Sequence, residues 1–138
     1  ESLSTFWLSF ILFILIIASA FFSASETSMM ALNRYRLKAL SAKNNVQAKR
    51  VEKLLNKIDY LIGGILLGNN FVNILAASIA TLLSLKLFGE GSVIIASLVL
   101  TLVILVFAEN TPKTFAAKNP EKIALPASWI LEILIKIF

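Results

Sequence analysis

The sequence predicts an all-α integral membrane domain: three transmembrane helices, a juxtamembrane helical hairpin on the cytoplasmic side and a C-terminal amphipathic helix. Three observations carry this. Only 15% of the 138 residues are charged and 58% are hydrophobic, whereas a soluble domain holds about 25% charged residues to cover its water-facing surface. The deficit is concentrated in three long runs, each near the ~20 residues that cross ~30 Å of hydrocarbon at ~1.5 Å per residue. Eight of the thirteen Lys and Arg residues fall between the first two runs, as expected of a cytoplasmic loop.

The first run has no charge from Phe6 to Phe22 and continues through Ser23-Ala24-Ser25 and Glu26 to Met30-Ala31. It is expected as one span over about 6–31 whose inner half turns polar. Ala18-Ser19-Ala20 has the small-residue pattern of a signal-peptidase site. The start carries Glu1 and no basic residue, and two more spans follow, so a retained helix is the expectation.

The segment of about 33–59 reads as the hairpin. Lys43-Asn44-Asn45 supplies turn residues. Beyond it, Val51, Leu54, Leu55 and Ile58 recur at the spacing of one helix face, with Lys49, Arg50, Lys53 and Lys57 elsewhere. Such a basic amphipathic helix suits anionic headgroups. No base-stacking aromatic pattern accompanies the charges, so nucleic acid is not an expected partner.

The second span is expected at about 60–85, a short turn at 86–91 and the third span at about 92–110. Pro126 is expected in the first turn of a last helix over about 126–138, with Trp129, Ile130, Ile133, Leu134 and Ile137 as its apolar stripe. The whole of 1–138 reads as a single domain. Basic segments on either side of the spans put the hairpin and the tail from Lys113 inside, the N-terminus outside and the C-terminus in the cytoplasm of a multi-pass plasma (inner) membrane protein.

The chain has no cysteine and no histidine. Disulfides, Cys/His zinc sites, haem, iron–sulfur ligation and Ser-His or Cys-His catalysis are excluded. No other nucleophile–base pair stands out, and an enzyme is not expected. A metal site would be built from oxygen alone.

Polar residues inside a span are costly and need a reason. Ser23, Ser25 and Ser28 accompany Glu26 in the first span. The serines alone read most simply as hydroxyls bonded back to their own helix, or as small packing residues. Asn69, Asn70 and Asn73 lie deep in the second run, Asn69 and Asn73 one turn apart on one face. They suit interhelical hydrogen bonds and ligand oxygens equally well. Gly64 and Gly68 have the spacing that lets another helix approach them. Glu109 precedes Pro112, whose ring clashes with the carbonyl four residues back, at Ala108. A carboxylate and a freed carbonyl at a helix break are expected there, the kind of feature that lines membrane ion sites. Hydroxyls, amide oxygens, carboxylate and carbonyl together suit Mg2+ or Ca2+, or a small alkali cation such as Na+. Spacing does not choose among these ions.

In these same stretches the sequence resembles the CorC/CNNM family of Mg2+ transporters, in its transmembrane domain. The matching residues are Phe22-Ser23-Ala24-Ser25-Glu26-Thr27-Ser28, Gly68-Asn69-Asn70-Phe71-Val72-Asn73 and Glu109-Asn110-Thr111-Pro112-Lys113, with Ala31-Leu32-Asn33-Arg34-Tyr35-Arg36-Leu37 at the start of the hairpin. The resemblance implies a homodimer holding dehydrated Mg2+ between the spans, with export driven by Na+ entry. By position it implies Ser23, Asn69, Asn73 and Glu109 as ligands, and adds Ser28, Asn70 and the Ala108 backbone carbonyl as further candidates. Ala108 stands where the family often has Gly. The family's cytoplasmic CBS domains, which bind ATP, have no counterpart in these residues. A different function on the same residues is a membrane anchor and dimeriser for a Mg2+-sensing regulator, with the asparagines as packing glue.

Overall fold

The computed structural model describes residues 2–137, and every element among them is helical. In order, α1 is Ser2–Ala31, α2 Arg34–Ala42, α3 Val46–Leu55 and α4 Ile58–Phe88. A single 3₁₀ turn, Glu90–Ser92, leads into α5, Val93–Val103. A π-helical stretch, Ile104–Asn110, then joins α5 to α6, Thr111–Lys118, and α7 is Pro120–Ile137. Three stretches are long and apolar enough to cross a membrane: Leu3–Ala31, Ile58–Phe88 and Glu90–Lys118. The chain is an integral membrane protein of the all-α class.

Spans α1 and α4 are antiparallel. Ser4 meets Lys86, Ser19 meets Asn69, and Phe22 meets Gly68. As the residue number rises on one helix it falls on the other. Their outward faces carry Phe6, Phe13, Ile17, Phe71 and Ile74, all exposed. Most residues buried along α1 are small, Ser19, Ser23, Ala24, Ser25 and Ser28, with Met29 at the hairpin end the exception. This is packing for lipid, where burying leucine against leucine gains little over leucine against acyl chain, and small residues let backbones close up.

Close approach has its sharpest expression at Gly68. A Cβ added there would lie 2.9 Å from the Phe22 ring. At Gly64 it would meet only Ile135 of α7, at an ordinary 3.7 Å, and at Gly63 nothing. The glycine pair therefore serves two neighbours, α1 at Gly68 and α7 at Gly64.

Two asparagines start the short helices. Asn33 Oδ1 accepts from the N–H groups of Tyr35 and Arg36 at 3.0 and 3.1 Å, and Asn45 Oδ1 from that of Ala48 at 3.0 Å. Between α2 and α3, Asn44 takes φ 65°, a left-handed conformation that asparagine tolerates better than most residues. Val51, Leu54 and Leu55 are buried as the spacing predicts, but Ile58 already belongs to α4. These residues form one apolar core with Met29, Leu61 and Leu131, at the hairpin end of the bundle.

Helix α7 differs from expectation at its start. It starts at Pro120, which loses nothing at a first helical position because that N–H has no partner anyway. Pro126 is inside it. Its buried face is Ala124, Ala127, Ser128 and Leu131, whereas Trp129, Ile130, Ile133 and Ile137 of the expected stripe point outward and Leu134 packs on the core. The reason is again the solvent: in lipid the bulky apolar face is the outer one.

Gly68→Ala is expected to lower the thermal unfolding midpoint in detergent, by an overpacking cost of about 1–3 kcal/mol. Gly63→Ala should leave it unchanged or raise it slightly.

Candidate metal centre

Span three does not break at Pro112. The backbone widens ahead of it: the N–H of Thr111 bonds to the carbonyl of Val106, five residues back. Pro112 then takes an early position in α6. A five-residue register is one way for a helix to accept a ring that brings no N–H and collides with the carbonyl four back. The expected helix break is thus a π-helical turn, and the helical path continues to Lys118.

This turn positions Glu109. Leu105, Val106 and Phe107 face outward, Ala108 is fully buried, and the Glu109 side chain is only 23% exposed. A methyl group at Ala108 lets the turn sit close to its neighbours.

A chain of polar contacts then crosses all three spans. Ser19 Oγ donates to Asn69 Oδ1 at 2.9 Å. Asn69 Nδ2 donates to Glu109 Oε1 at 3.5 Å, a long bond. Glu109 Oε2 lies 3.4 Å from Lys113 Nζ, one helical turn further on. Asn69 Oδ1 has two lone pairs, so it can accept from Ser19 and still offer one to a cation.

The structure therefore brings Asn69 and Glu109 into contact. Ser23 follows Ser19 by one turn on the same face of α1, and Asn73 follows Asn69 likewise on α4. Because the helices are antiparallel, Ser23 and Asn73 flank the Ser19–Asn69 pair from opposite sides. Side chains lean toward the N-terminus of their own helix, so these two lean back toward that pair. Ser23 Oγ and Asn73 Oδ1 are buried without a hydrogen-bond partner. Unpartnered buried oxygens are uncommon and ask for an explanation.

Ser28 and Asn70 are not gathered into this seam. Ser28 Oγ donates to the carbonyl of Ser25 at 3.0 Å, a bond within its own helix, and its face is turned away from that of Ser19. Asn70 is exposed on another side of α4. At Ala108 the side chain is buried, and Pro112 offers it no N–H. Ser19 and Lys113 went unread in the sequence as seam residues. Four-residue spacing to Ser23 and to Glu109 was the signal available for each. Ser25 Oγ is also buried and unpartnered, but on a different face of α1 from Ser19 and Ser23.

A cavity of about 290 Å³ opens beside Asn73, between α4 and α5, and Thr81, Ser97 and Thr101 contribute hydroxyls to its wall. Both threonines are already bonded to carbonyls of their own helices. Among the described residues no three acidic side chains converge. A cation in the seam would meet one carboxylate and several neutral oxygens, the donor chemistry of a hard ion.

These features define a three-span membrane domain with a polar seam between its helices. The chain belongs to the family of the cyclin M transmembrane N-terminal domain, whose family model matches residues 10–138. It is 57% identical over 113 residues to the UPF0053 inner membrane protein YfjD of Escherichia coli, covering 82% of this chain and 26% of the relative. Similarity to a UPF0053 protein of Haemophilus influenzae is 48% over 138 residues, all of this chain and 33% of the relative. A chloroplastic DUF21 domain-containing protein of Arabidopsis thaliana is 34% identical over 128 residues, covering 90% of this chain and 19% of that protein. The chain thus spans a third or less of these relatives' length.

Ser23→Ala should leave stability in metal-free detergent unchanged or slightly higher, since its hydroxyl has no partner to lose. Ser19→Ala removes the donor to Asn69 and should cost on the order of 1 kcal/mol. Thermal unfolding with a chelator present checks both.

Proposed function

We propose that this domain carries Mg2+ across the membrane, through an intramembrane site made by Asn69 and Glu109 with Ser23 and Asn73 beside them. Family membership supports the reading, since cyclin M-type membrane domains are the kind found in Mg2+ transporters. The observation that carries it is the pair of orphaned buried oxygens, Ser23 Oγ and Asn73 Oδ1, one turn to either side of the Ser19–Asn69 bond that reaches Glu109. A divalent ion held at Asn69 and Glu109 would give neighbouring buried oxygens a partner. Glu109 supplies charge, and the neutral oxygens replace hydration water that Mg2+ gives up reluctantly. A single carboxylate keeps the binding modest, which suits an ion that must leave again.

The rest of the reading follows the sequence. The basic hairpin lies in the cytoplasm of a plasma (inner) membrane, with the N-terminus outside. Transport is efflux coupled to Na+ entry, the domain works as a homodimer, and CBS-type domains follow in the full-length protein. No catalytic chemistry is assigned to it.

The Ser19–Asn69 bond also suits a second reading. An anchor and dimeriser of a Mg2+-sensing regulator would use that bond as interhelical glue and move no ion.

The test is thermal stability in detergent against Mg2+ concentration, for the native chain and for Glu109→Gln. A ligand of the folded state adds about 2.7 kcal/mol at a hundred times its dissociation constant. The native midpoint should rise with Mg2+ and that of Glu109→Gln should not. An equal response, or none, would contradict the site. Mg2+ flux in liposomes then separates carrier from anchor.

A further inference from the structure

We infer that Lys113 is a tethered competitor for the cation site, and that it sets which ions can enter. The inference rests on the cation-site reading above. Lys113 follows Glu109 by four residues, and its ammonium lies 3.4 Å from Oε2 while the other carboxylate oxygen accepts from Asn69. One carboxylate thus serves an amide donor and an internal cation. The Lys113 side chain is 45% exposed, against 23% for Glu109. Lys113 also lies within five residues of the span's end at Lys118, so its long side chain can withdraw toward the headgroup level.

A metal ion bound to Glu109 and the ammonium beside it repel, so one must leave for the other. Because Lys113 is tethered, its local concentration at the carboxylate is high whatever the salt outside, of millimolar order or more. A monovalent ion has the same charge as the ammonium and gains no Coulomb advantage by displacing it. A divalent ion at equal distance gains twice the attraction. The lysine therefore places a threshold on the site that Mg2+ passes and Na+ does not. When Mg2+ leaves, the returning ammonium neutralises the carboxylate and opposes immediate rebinding.

The surroundings agree with this role. Among the described residues, Lys113 is the basic residue within ion-pair distance of Glu109. It stands one turn beyond Glu109 toward the Lys118 end of the span, the end reached first by an ion coming from the hairpin side. The pair itself is partly exposed, so its value as a structural link is small.

The experiment compares the whole native chain with Lys113→Met, Lys113→Gln and Lys113→Arg in detergent. Thermal midpoints are followed against MgCl2 and, separately, NaCl, with choline chloride holding ionic strength fixed. Removing the internal cation should tighten Mg2+ binding about tenfold, an estimate already reduced for solvent screening. It should also create a response to Na+ that the native chain lacks. Lys113→Arg should behave as native. If the native chain responds to Mg2+ through Glu109 but Met and Gln variants match it for both salts, the competitor role is overturned and the Mg2+ site stands. If the native chain does not respond to Mg2+ at all, both fall together.

Discussion

The arrangement depends on the contact between Asn69 and its two neighbours, Ser19 and Glu109. In hydrocarbon an amide cannot be left to water, so its partners must come from the facing spans. That requirement holds α1, α4 and the π-helical turn in one register. Once Ser19 opposes Asn69, the four-residue spacing carries Ser23 and Asn73 to either side, and their oxygens are buried with nothing to bond. The same contact therefore stabilises the bundle and leaves unsatisfied groups one turn to either side of it. Stability alone gives no reason to retain such groups, whereas the proposed ion site does.

Packing around this seam follows from the solvent. Phe, Ile and Leu cover the outside of the spans, and Ser, Ala and Gly lie between them. At the hairpin end the order reverses: α3 buries Val51, Leu54 and Leu55 and carries its lysines outward, as a water-facing helix does. Helix α7 belongs to both regimes, presenting Ala124, Ala127 and Leu131 to the core and Trp129 and Ile133 outward. Its position beside α3 and α4 couples the hairpin to the span that carries Asn69.

Three spans, a hairpin and a last helix were legible from charge-free runs and basic segments, because membrane thickness and hydration act on composition directly. Asn44-Asn45 was legible as a break because asparagine favours turns, whereas the capping role of Asn33 was not read. Other features were not legible either. The start of α7 at Pro120 was missed because Pro126 also suits a first helical turn. Pro112 announced a disturbance in span three, but a break and a π-helical turn answer the same missing N–H, and neighbouring helices decide between them. Asn69 and Glu109 were legible as costly polar groups. Ser19 and Lys113 gain meaning only from antiparallel register and from the widened turn, which no local pattern specifies.

Binding of a divalent ion in the seam through protein oxygens in place of water can be measured with Mn2+ standing in for Mg2+, counting the bound waters by pulsed electron paramagnetic resonance in H2O and D2O. The expected result is a bound ion with few or no water ligands, coupled to the 13C-labelled carboxylate of Glu109 and lost in Glu109→Gln. A fully hydrated ion, with no coupling to that carboxylate, would contradict it.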